Sequence, residues 1–345
     1  MSSRSLVLAL TLLLTSSPTW ADILGSTYGV SSTNTPAQND IALAALSAAI
    51  LAQSGTGTDV DLPSGIISFT TWSLNGISYA RIHGSASGPA GTILQSSGTG
   101  ITASNTVRIL LQRIKLYAAS GATGWLLNLS GASSFKISDS QLNGASTGVS
   151  GINADQAVNT IISAVAFDHL NHPIDGQATG GHSYSNILTV LDGSSFYANT
   201  GYAFNNPGIQ WAMRDSYVEP SPDGGLRVAT SDSTVTFSGL TFDNIGVYDG
   251  TIITNELSLG PGFNLNIHGG YWGGGLLSST LLWATGPIQG LTLEGVDLQF
   301  FTTALAPQVT GSSGWVVQGN QFFAVPTRLA NRQFVCNLIE SGNSP

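Results

Sequence analysis

The segment Leu291-Thr-Leu-Glu-Gly-Val-Asp-Leu298 carries the pattern that decides the fold, and it recurs along the chain. Two apolar residues stand at positions i and i+2, and a large apolar residue comes five positions after the second of them. The same pattern appears in residues 135–142, 235–242, 265–272 and 315–322. Alternation of apolar and polar residues is typical of a strand with one buried face.

The second apolar residue of each copy serves as the anchor of a repeat. With less regular copies included, the anchors are Leu111, Ile137, Ile162, Leu191, Ala212, Phe237, Ile267, Leu293 and Val317, on average about 26 residues apart. A unit this short cannot bury its own apolar face, so the copies must stack, each strand pairing in parallel with the next. The sequence therefore predicts an all-β fold, a single-stranded parallel β-helix.

Two further rows follow from the repeat. Glycine two residues after an anchor is expected to supply a bend, at Gly193, Gly239, Gly269, Gly295 and Gly319. The residues five after the anchor are expected to form an internal ladder of Phe167, Phe196, Tyr217, Phe242, Trp272, Leu298 and Phe322.

Composition excludes several classes of protein. Only 8% of the 345 residues are charged, and 10 Lys and Arg against 19 Asp and Glu give a net charge of −9. So little positive charge argues against nucleic acid or an anionic membrane surface as a partner. The single cysteine, Cys336, excludes a disulfide framework and a cysteine-based metal site.

The first residues have the pattern of a secretory signal peptide. Arg4 is followed by an apolar run from Leu6 to Leu14, and small residues precede a cut after Ala21. Residues 1–21 are therefore predicted to be removed, and the mature protein is expected in the periplasm or secreted from a bacterial cell. No later apolar run is long enough to cross a membrane.

Both ends of a solenoid need covers, because unpaired strand edges invite aggregation. Asp40 is expected to cap a helix over Ile41–Leu51, whose small apolar face can sit on the first coil. We assign residues 22–65 to the N-terminal segment with its capping helix, 66–327 to the coils and 328–345 to a C-terminal cap.

Tyr28-Gly29-Val30, Asn39-Asp40-Ile-Ala-Leu and Asp59-Val-Asp-Leu-Pro-Ser-Gly65 occur in that order. This order of motifs resembles the N-terminal segment of the pectate-lyase-like superfamily. The resemblance implies right-handed coils with an N-terminal capping helix. The superfamily includes lyases, glycoside hydrolases, epimerases, esterases, phage tailspikes and adhesive proteins, so the resemblance assigns no subfamily.

The catalytic signatures of that superfamily are incomplete here. A polygalacturonase-like site would need an adjacent Asp pair, which the chain lacks, and Arg113-Ile-Lys115 precedes Gly181-His182 instead of following it. No cofactor is predicted. Calcium is the one ion with some basis, because Asp215, Glu219 and Asp243 could approach one another near Arg214.

Residues at the same offset from an anchor stack on successive coils, so Glu219 and Asp243 are expected to face each other about 5 Å apart. Carboxylates at such separations serve glycosidases as acid, base or nucleophile. We predict this pair as catalytic, supported on the same strip by three residues, Asp168, His169 and Arg214. The alternative is that these residues cap turns.

Two other groups are candidates. The cluster around His172 and Asp175, followed by His182, could do acid–base work or bind a metal, although no metal motif supports the latter. Of the aromatic residues in the middle coils, Tyr217 and Trp272 are expected to be internal. The predicted platforms for sugar rings are Trp211, Tyr248 and Tyr271.

The sequence thus favours a secreted carbohydrate-active protein that cleaves or modifies a polysaccharide, by lyase or hydrolase chemistry. The alternative is a secreted β-helix without catalytic activity that binds glycan or acts as a surface or adhesive protein.

Overall fold

The computed structural model describes residues 20–53, 56–85, 91–176, 187–201, 203–205, 210–219, 228–229, 236–248, 255–274 and 279–345. Over these residues the chain is nearly all β, a parallel β-solenoid of about nine turns with one α-helix near its N-terminus. The predicted fold class is confirmed. The predicted signal peptide lies outside the described residues except for Trp20 and Ala21.

The regular elements are short and evenly distributed. In chain order they are β1 (Ala21–Leu24), α1 (Pro36–Ala52), β2 (Thr58–Asp61), β3 (Gly65–Ser73), β4 (Ser78–His83), β5 (Thr92–Thr102), β6 (Val107–Gln112), β7 (Ile114–Ala118), β8 (Trp125–Asn128), β9 (Lys136–Asn143), β10 (Ser150–Asn153), β11 (Val158–Asp168), β12 (Ile174–Asp175), β13 (Ile187–Asp192), β14 (Ser195–Tyr197), β15 (Phe204–Asn205), β16 (Gln210–Arg214), β17 (Tyr217–Val218), β18 (Val228–Ala229), β19 (Gly239–Asp243), β20 (Gly246–Val247), β21 (Asn255–Leu259), β22 (Gly262–His268), β23 (Tyr271–Gly273), β24 (Thr280–Ala284), β25 (Ile288–Glu294), β26 (Asp297–Gln299), β27 (Thr303–Pro307), β28 (Ser312–Gln318), β29 (Gln321–Phe323), β30 (Thr327–Leu329), β31 (Val335–Cys336) and β32 (Ile339–Ser341).

Each complete coil contributes one strand to each of three parallel faces, which we call A, B and C in the order the chain visits them. Face A includes β13, β16, β19, β22, β25 and β28, each paired with the next. Face B includes β14, β17, β20, β23, β26 and β29. Face C includes β12, β15, β18, β21, β24, β27 and β30.

A short corner joins face A to face B in every coil. The residue that turns the chain there has a positive φ, between 53° and 64° at Gly193, Asn244, Gly269, Gly295 and Gly319. Glycine reaches this conformation without a steric penalty, and asparagine tolerates it better than most residues. The predicted glycine bend is confirmed at four positions. It is wrong at Gly239, which begins β19.

A buried row runs along face B beneath its outer surface. Its successive members are Leu142, Phe167, Phe196, Val218, Val247, Trp272, Leu298 and Phe322, and all are buried. The predicted ladder is therefore confirmed in outline. Two of its predicted members are wrong, because Val218 and Val247 stand where Tyr217 and Phe242 were expected.

The cause is that the sequence pattern predicts the wrong register for two strands of face A. Met213 and Phe242 pair in line with Leu191 and Ile267, so the anchors Ala212 and Phe237 are wrong. A slip of one residue turns every side chain of a strand to the opposite face. The observed register buries Met213 and Phe242 completely and turns Ala212 outward.

Helix α1 covers the first coil with one buried side, which carries Asn39, Ala42, Leu43, Leu46 and Ile50. The helix begins earlier than expected, with a capping box in which Thr35, not Asp40, is the N-cap residue. Asp40 lies within the helix, and its carboxylate accepts a hydrogen bond of 2.7 Å from the Thr70 amide. No helix in the described part of the chain has the length and apolar content needed to cross a lipid bilayer.

Candidate functional site

The outer surface of face B carries two rows of side chains, one on each side of the buried row, because successive residues of a strand point to opposite faces. One outer row contains Ser195, Tyr217, Gly246, Tyr271, Asp297 and Gln321. Asp168 and Tyr197 are neighbours in the other row. That row continues through Glu219 and Tyr248, which follow the paired residues Val218 and Val247.

Three tyrosines on successive coils alternate between the two outer rows. We call these residues, Tyr217, Tyr248 and Tyr271, the tyrosine strip. The ring centroids of Tyr217 and Tyr248 are 5.1 Å apart, and those of Tyr248 and Tyr271 are 5.0 Å apart. Tyr217 is 41% exposed and Tyr248 is 43% exposed. The strip is therefore a continuous aromatic surface that solutes can reach.

Two glycines lie beside these rings. A Cβ atom at Gly246 would make ordinary van der Waals contact, 3.6 Å from the rings of both Tyr217 and Tyr248. A Cβ atom at Gly273 would lie 3.3 Å from the ring of Tyr271, closer than ordinary van der Waals contact. Gly273 therefore gives the Tyr271 ring its space.

The structure corrects two assignments among the aromatic residues. Trp211, predicted as a surface platform, is only 3% exposed and packs between Phe204 and Phe242, with ring centroids 4.6 and 5.1 Å away. Tyr217, expected inside, is on the surface. Both errors follow from the slip at Ala212, because Trp211 and Met213 point inward in the observed register. Tyr248 and Tyr271 lie side by side on one surface.

Glu219 lies at the edge of the tyrosine strip. The hydroxyl group of Tyr217 donates a hydrogen bond of 3.3 Å to its carboxylate. Partial desolvation of the Tyr217 hydroxyl raises its pKa, and the charge of Glu219, its hydrogen bond and nearby Tyr248 raise the pKa further. The Tyr217 hydroxyl therefore stays protonated at neutral pH and acts as a donor.

Asp168 and His169 form a dyad where face B ends. Nδ1 of His169 contacts the Asp168 carboxylate, which also accepts hydrogen bonds from the side-chain amides of Asn143 at 2.5 Å and Gln141 at 3.4 Å. With all these donors on the carboxylate, Nδ1 of His169 carries a proton and Nε2 is left as a base. Nε2 has no hydrogen-bond partner among the described residues.

The dyad adjoins the aromatic surface. The ring of His169 contacts the edge of the Tyr197 ring, with centroids 5.9 Å apart. Tyr197 is half exposed and follows Asp168 in its row, on the coil between Asp168 and Glu219. One surface thus joins an oriented histidine to the tyrosine strip.

The expected meeting of Glu219 and Asp243 is wrong. Asp243 is at the end of face A, where it pairs in register with Arg214 on one side and His268 on the other. The register of Phe242 moves Asp243 off the row that contains Glu219. The five predicted catalytic residues are therefore divided, with Asp168, His169 and Glu219 on face B and Arg214 and Asp243 on face A.

Polar groups that the sequence did not single out lie elsewhere. A pocket of about 460 Å³ near the N-terminus is lined in part by Asp59, His83 and Arg113. His83 contacts Asp59 at 2.9 Å and Asp61 at 3.0 Å, and Nη2 of Arg113 is 3.1 Å from its Nδ1. The pairing across coils that joins these residues leaves no local sequence signal.

The predicted cluster around His172 and Asp175, with His182, lies only partly within the described residues. Asp175 is buried in β12, and His172 is half-buried. His182 lies outside the described residues. Glu256, on the same face C as Asp175, is also buried, and nothing in its sequence context distinguished it. Within the described ranges, no three or more His, Cys, Asp or Glu side chains are placed to hold a metal ion.

Comparison with known proteins identifies the fold. No protein-family model matches the chain, and no curated protein matches it. Among solved structures, the A-module of mannuronan C-5 epimerase AlgE6 from Azotobacter vinelandii is similar, with a TM-score of 0.62 and 13% identity over 94% of this chain and 99% of that one.

Two further solved structures are similar at low identity. An exopolygalacturonase from Thermotoga maritima has a TM-score of 0.56 and 9% identity, over 93% of this chain and 92% of that one. A DFA-IIIase from Arthrobacter chlorophenolicus A6 has a TM-score of 0.56 and 11% identity, over 93% and 94%. The chain therefore has the right-handed parallel β-helix fold of pectate-lyase-like proteins.

Proposed function

We propose that this protein is an exported carbohydrate-active enzyme that binds a polysaccharide along face B and cleaves or modifies it beside His169. The observation that carries the proposal is that Tyr197, whose ring contacts His169, lies on face B one coil before Tyr217, where the tyrosine strip begins. Similar solved structures include a mannuronan epimerase and an exopolygalacturonase, which supports a carbohydrate substrate.

The tyrosine strip suits a long, repeating ligand. Its three rings follow one another at steps of about 5 Å along the solenoid axis, the spacing of successive coils. Tyrosine offers an apolar ring together with a hydroxyl group, so it can pack against the ring of a sugar and bond to its hydroxyls. A polysaccharide lying parallel to the axis would contact several tyrosines at once.

The dyad supplies the base for the reaction. The Asp168 carboxylate engages Nδ1 of His169, which leaves Nε2 of the 40% exposed imidazole to accept a proton from the substrate or from water. Glu219 lies two coils along the same row, roughly 10 Å away at the backbone. It is the second carboxylate of the site, with Tyr217 as the neutral donor beside it. Arg214 and Asp243 flank this surface across the corner, on face A.

The test is incubation of the purified protein with a panel of polysaccharides, followed by measurement of unsaturated products by ultraviolet absorbance and of new reducing ends. We expect products from at least one polymer. The His169→Gln variant should react about 10²–10⁴-fold more slowly, as is usual for loss of an essential base.

His268→Gln is the matched control, because His268 is a half-buried histidine on face A. It should keep the full rate. Retention on immobilised glycan without any product would contradict the catalytic part of the proposal and favour a binding protein. Full activity of His169→Gln would place the chemistry elsewhere.

A further inference from the structure

We infer that the polysaccharide bound along the tyrosine strip carries no anionic groups, so that it is a polymer without carboxylate or sulfate. This inference rests on the proposed function and adds the chemical class of the substrate. It is carried by the distribution of charge along the coils and by the neutral side chains around the strip.

The coils that carry the tyrosine strip are strongly acidic. Between residues 140 and 326 the sequence has 13 Asp and Glu but only two cationic side chains, Arg214 and Arg227. Residues 20–139 have five of each sign. The negative charge of the protein is therefore concentrated in the coils where the ligand would lie, and a polyanionic chain would be repelled along the whole contact.

The carboxylates next to the strip accept hydrogen bonds from side-chain amides, a tyrosine hydroxyl and the imidazole of His169. Asp297 accepts hydrogen bonds of 3.2 and 3.1 Å from the side-chain amide of Gln299. Glu219 accepts from the Tyr217 hydroxyl. In the described part of the chain no lysine or arginine forms an ion pair with Asp168, Glu219 or Asp297.

The nearest described arginine is already in register with acids. Arg214 is on face A between Asp192 and Asp243, which are its Cα partners on the two adjacent coils. Lys115 is in the same outer row as Gln141, several coils before Tyr217. Lys115 therefore lies away from the strip, and Arg214, which flanks the strip, has an acidic residue in register on each adjacent coil.

The other side chains of this surface suit hydroxyl groups. Besides the tyrosines and acids, with Lys115 and Phe323 farther along the axis, the outer rows of face B include uncharged amides and hydroxyls, namely Gln141, Asn143, Ser195, Gln299 and Gln321. Amides both donate and accept hydrogen bonds, as do sugar hydroxyls. Aromatic contact combined with neutral hydrogen bonding is the recognition expected for an uncharged glycan.

The experiment measures binding of the full-length protein by isothermal titration calorimetry at low salt. The probes are uncharged glucans and fructans, the anionic polymers polymannuronate and polygalacturonate with and without calcium, and cationic chitosan. We expect an uncharged polymer to bind more tightly than either anionic polymer, with an affinity that changes little when salt is added.

Two tyrosine variants locate the binding. Tyr248→Ala removes the central ring of the strip and should weaken binding of the uncharged polymer by about tenfold. Tyr79→Ala is the matched control, because Tyr79 is an exposed tyrosine in β4, far from the strip along the axis, and it should leave the affinity unchanged.

Tighter binding of an anionic polymer than of every uncharged one would overturn the inference. If that binding were weakened by Tyr248→Ala, the proposed site would stand and only its substrate class would be wrong. If Tyr248→Ala changed the binding of no polymer, both the inference and the proposed function would fail.

Discussion

Individual side chains in this protein act within axial rows, and two aromatic rows illustrate the principle. Inside the solenoid, Phe167 and Phe196 are neighbours in the buried row of face B, and their rings stack with centroids 4.8 Å apart. Outside it, the tyrosine strip repeats the spacing in contact with solvent. The same parallel stacking of coils therefore builds an aromatic core and an aromatic surface.

Replacement of Phe242 by alanine should lower the free energy of unfolding by about 3–5 kcal/mol, the usual loss for a fully buried phenylalanine. Reversible denaturation measures the effect. Phe263→Ala is the control, because Phe263 is 50% exposed and should cost less than about 1 kcal/mol. Equal losses in the two variants would mean that Phe242 is not in the core.

The raised pKa of Tyr217 predicts a pH dependence. Because the folded pKa is above the unfolded value of 10.0, the protonated hydroxyl stabilises the fold fully below pH 10. This contribution is lost as the pH rises through the raised pKa. Absorbance titration of tyrosinate should show one late-ionising tyrosine that moves to lower pH in Glu219→Gln. An unchanged titration curve in that variant would contradict the assignment.

The position of helix α1 follows from the first coil, which it covers. Helix α1 buries one side on the first coil, and its bonds to the coil are specific. The buried Asn39 donates to the Ser68 carbonyl at 3.0 Å, and the indole of Trp72 donates to Ser47 at 2.9 Å. The helix therefore shields the apolar interior at the start of the stack, where no further strand can do so.

Leu46→Ala should destabilise the protein by about 2–5 kcal/mol, since Leu46 is fully buried between helix and coil. Ile41→Ala should leave the stability almost unchanged, because Ile41 is on the exposed side of the same helix and is itself 74% exposed. Thermal and denaturant unfolding compare the two variants. If Leu46→Ala were as stable as Ile41→Ala, the helix would not be packed on the solenoid.

The solenoid carries its charge unevenly, with a net excess of eleven acidic residues between 140 and 326. Because these coils are stacked on one another, their charges repel along the axis, and salt should screen this repulsion.

We therefore expect the melting temperature at neutral pH to rise as sodium chloride is added, measured by differential scanning calorimetry. Near the isoelectric point of about 4.7, where many carboxylates are protonated, the same salt should have a smaller effect. A melting temperature independent of salt at neutral pH would show that self-repulsion contributes little to stability.

The candidate site was predictable in its residue types and in part of its location. Tyr248, Tyr271, Glu219, Asp168 and His169 were all singled out, and the structure places them on one face. The separation of Glu219 from Asp243 and the burial of Trp211 were not predictable, since both depend on which residue of β16 aligns with which residue of β19.

Local sequence was sufficient for the repeat, the coil length, the glycine corners and the presence of a capping helix, because each coil must place apolar residues and bends at the same points. The register between coils was decided only by packing. Both Phe237 and Phe242 end an apolar alternation and both are buried, but only Phe242 aligns with Met213 and Ile267. That alignment depends on side chains one coil before and one coil after, about 25 residues away in sequence.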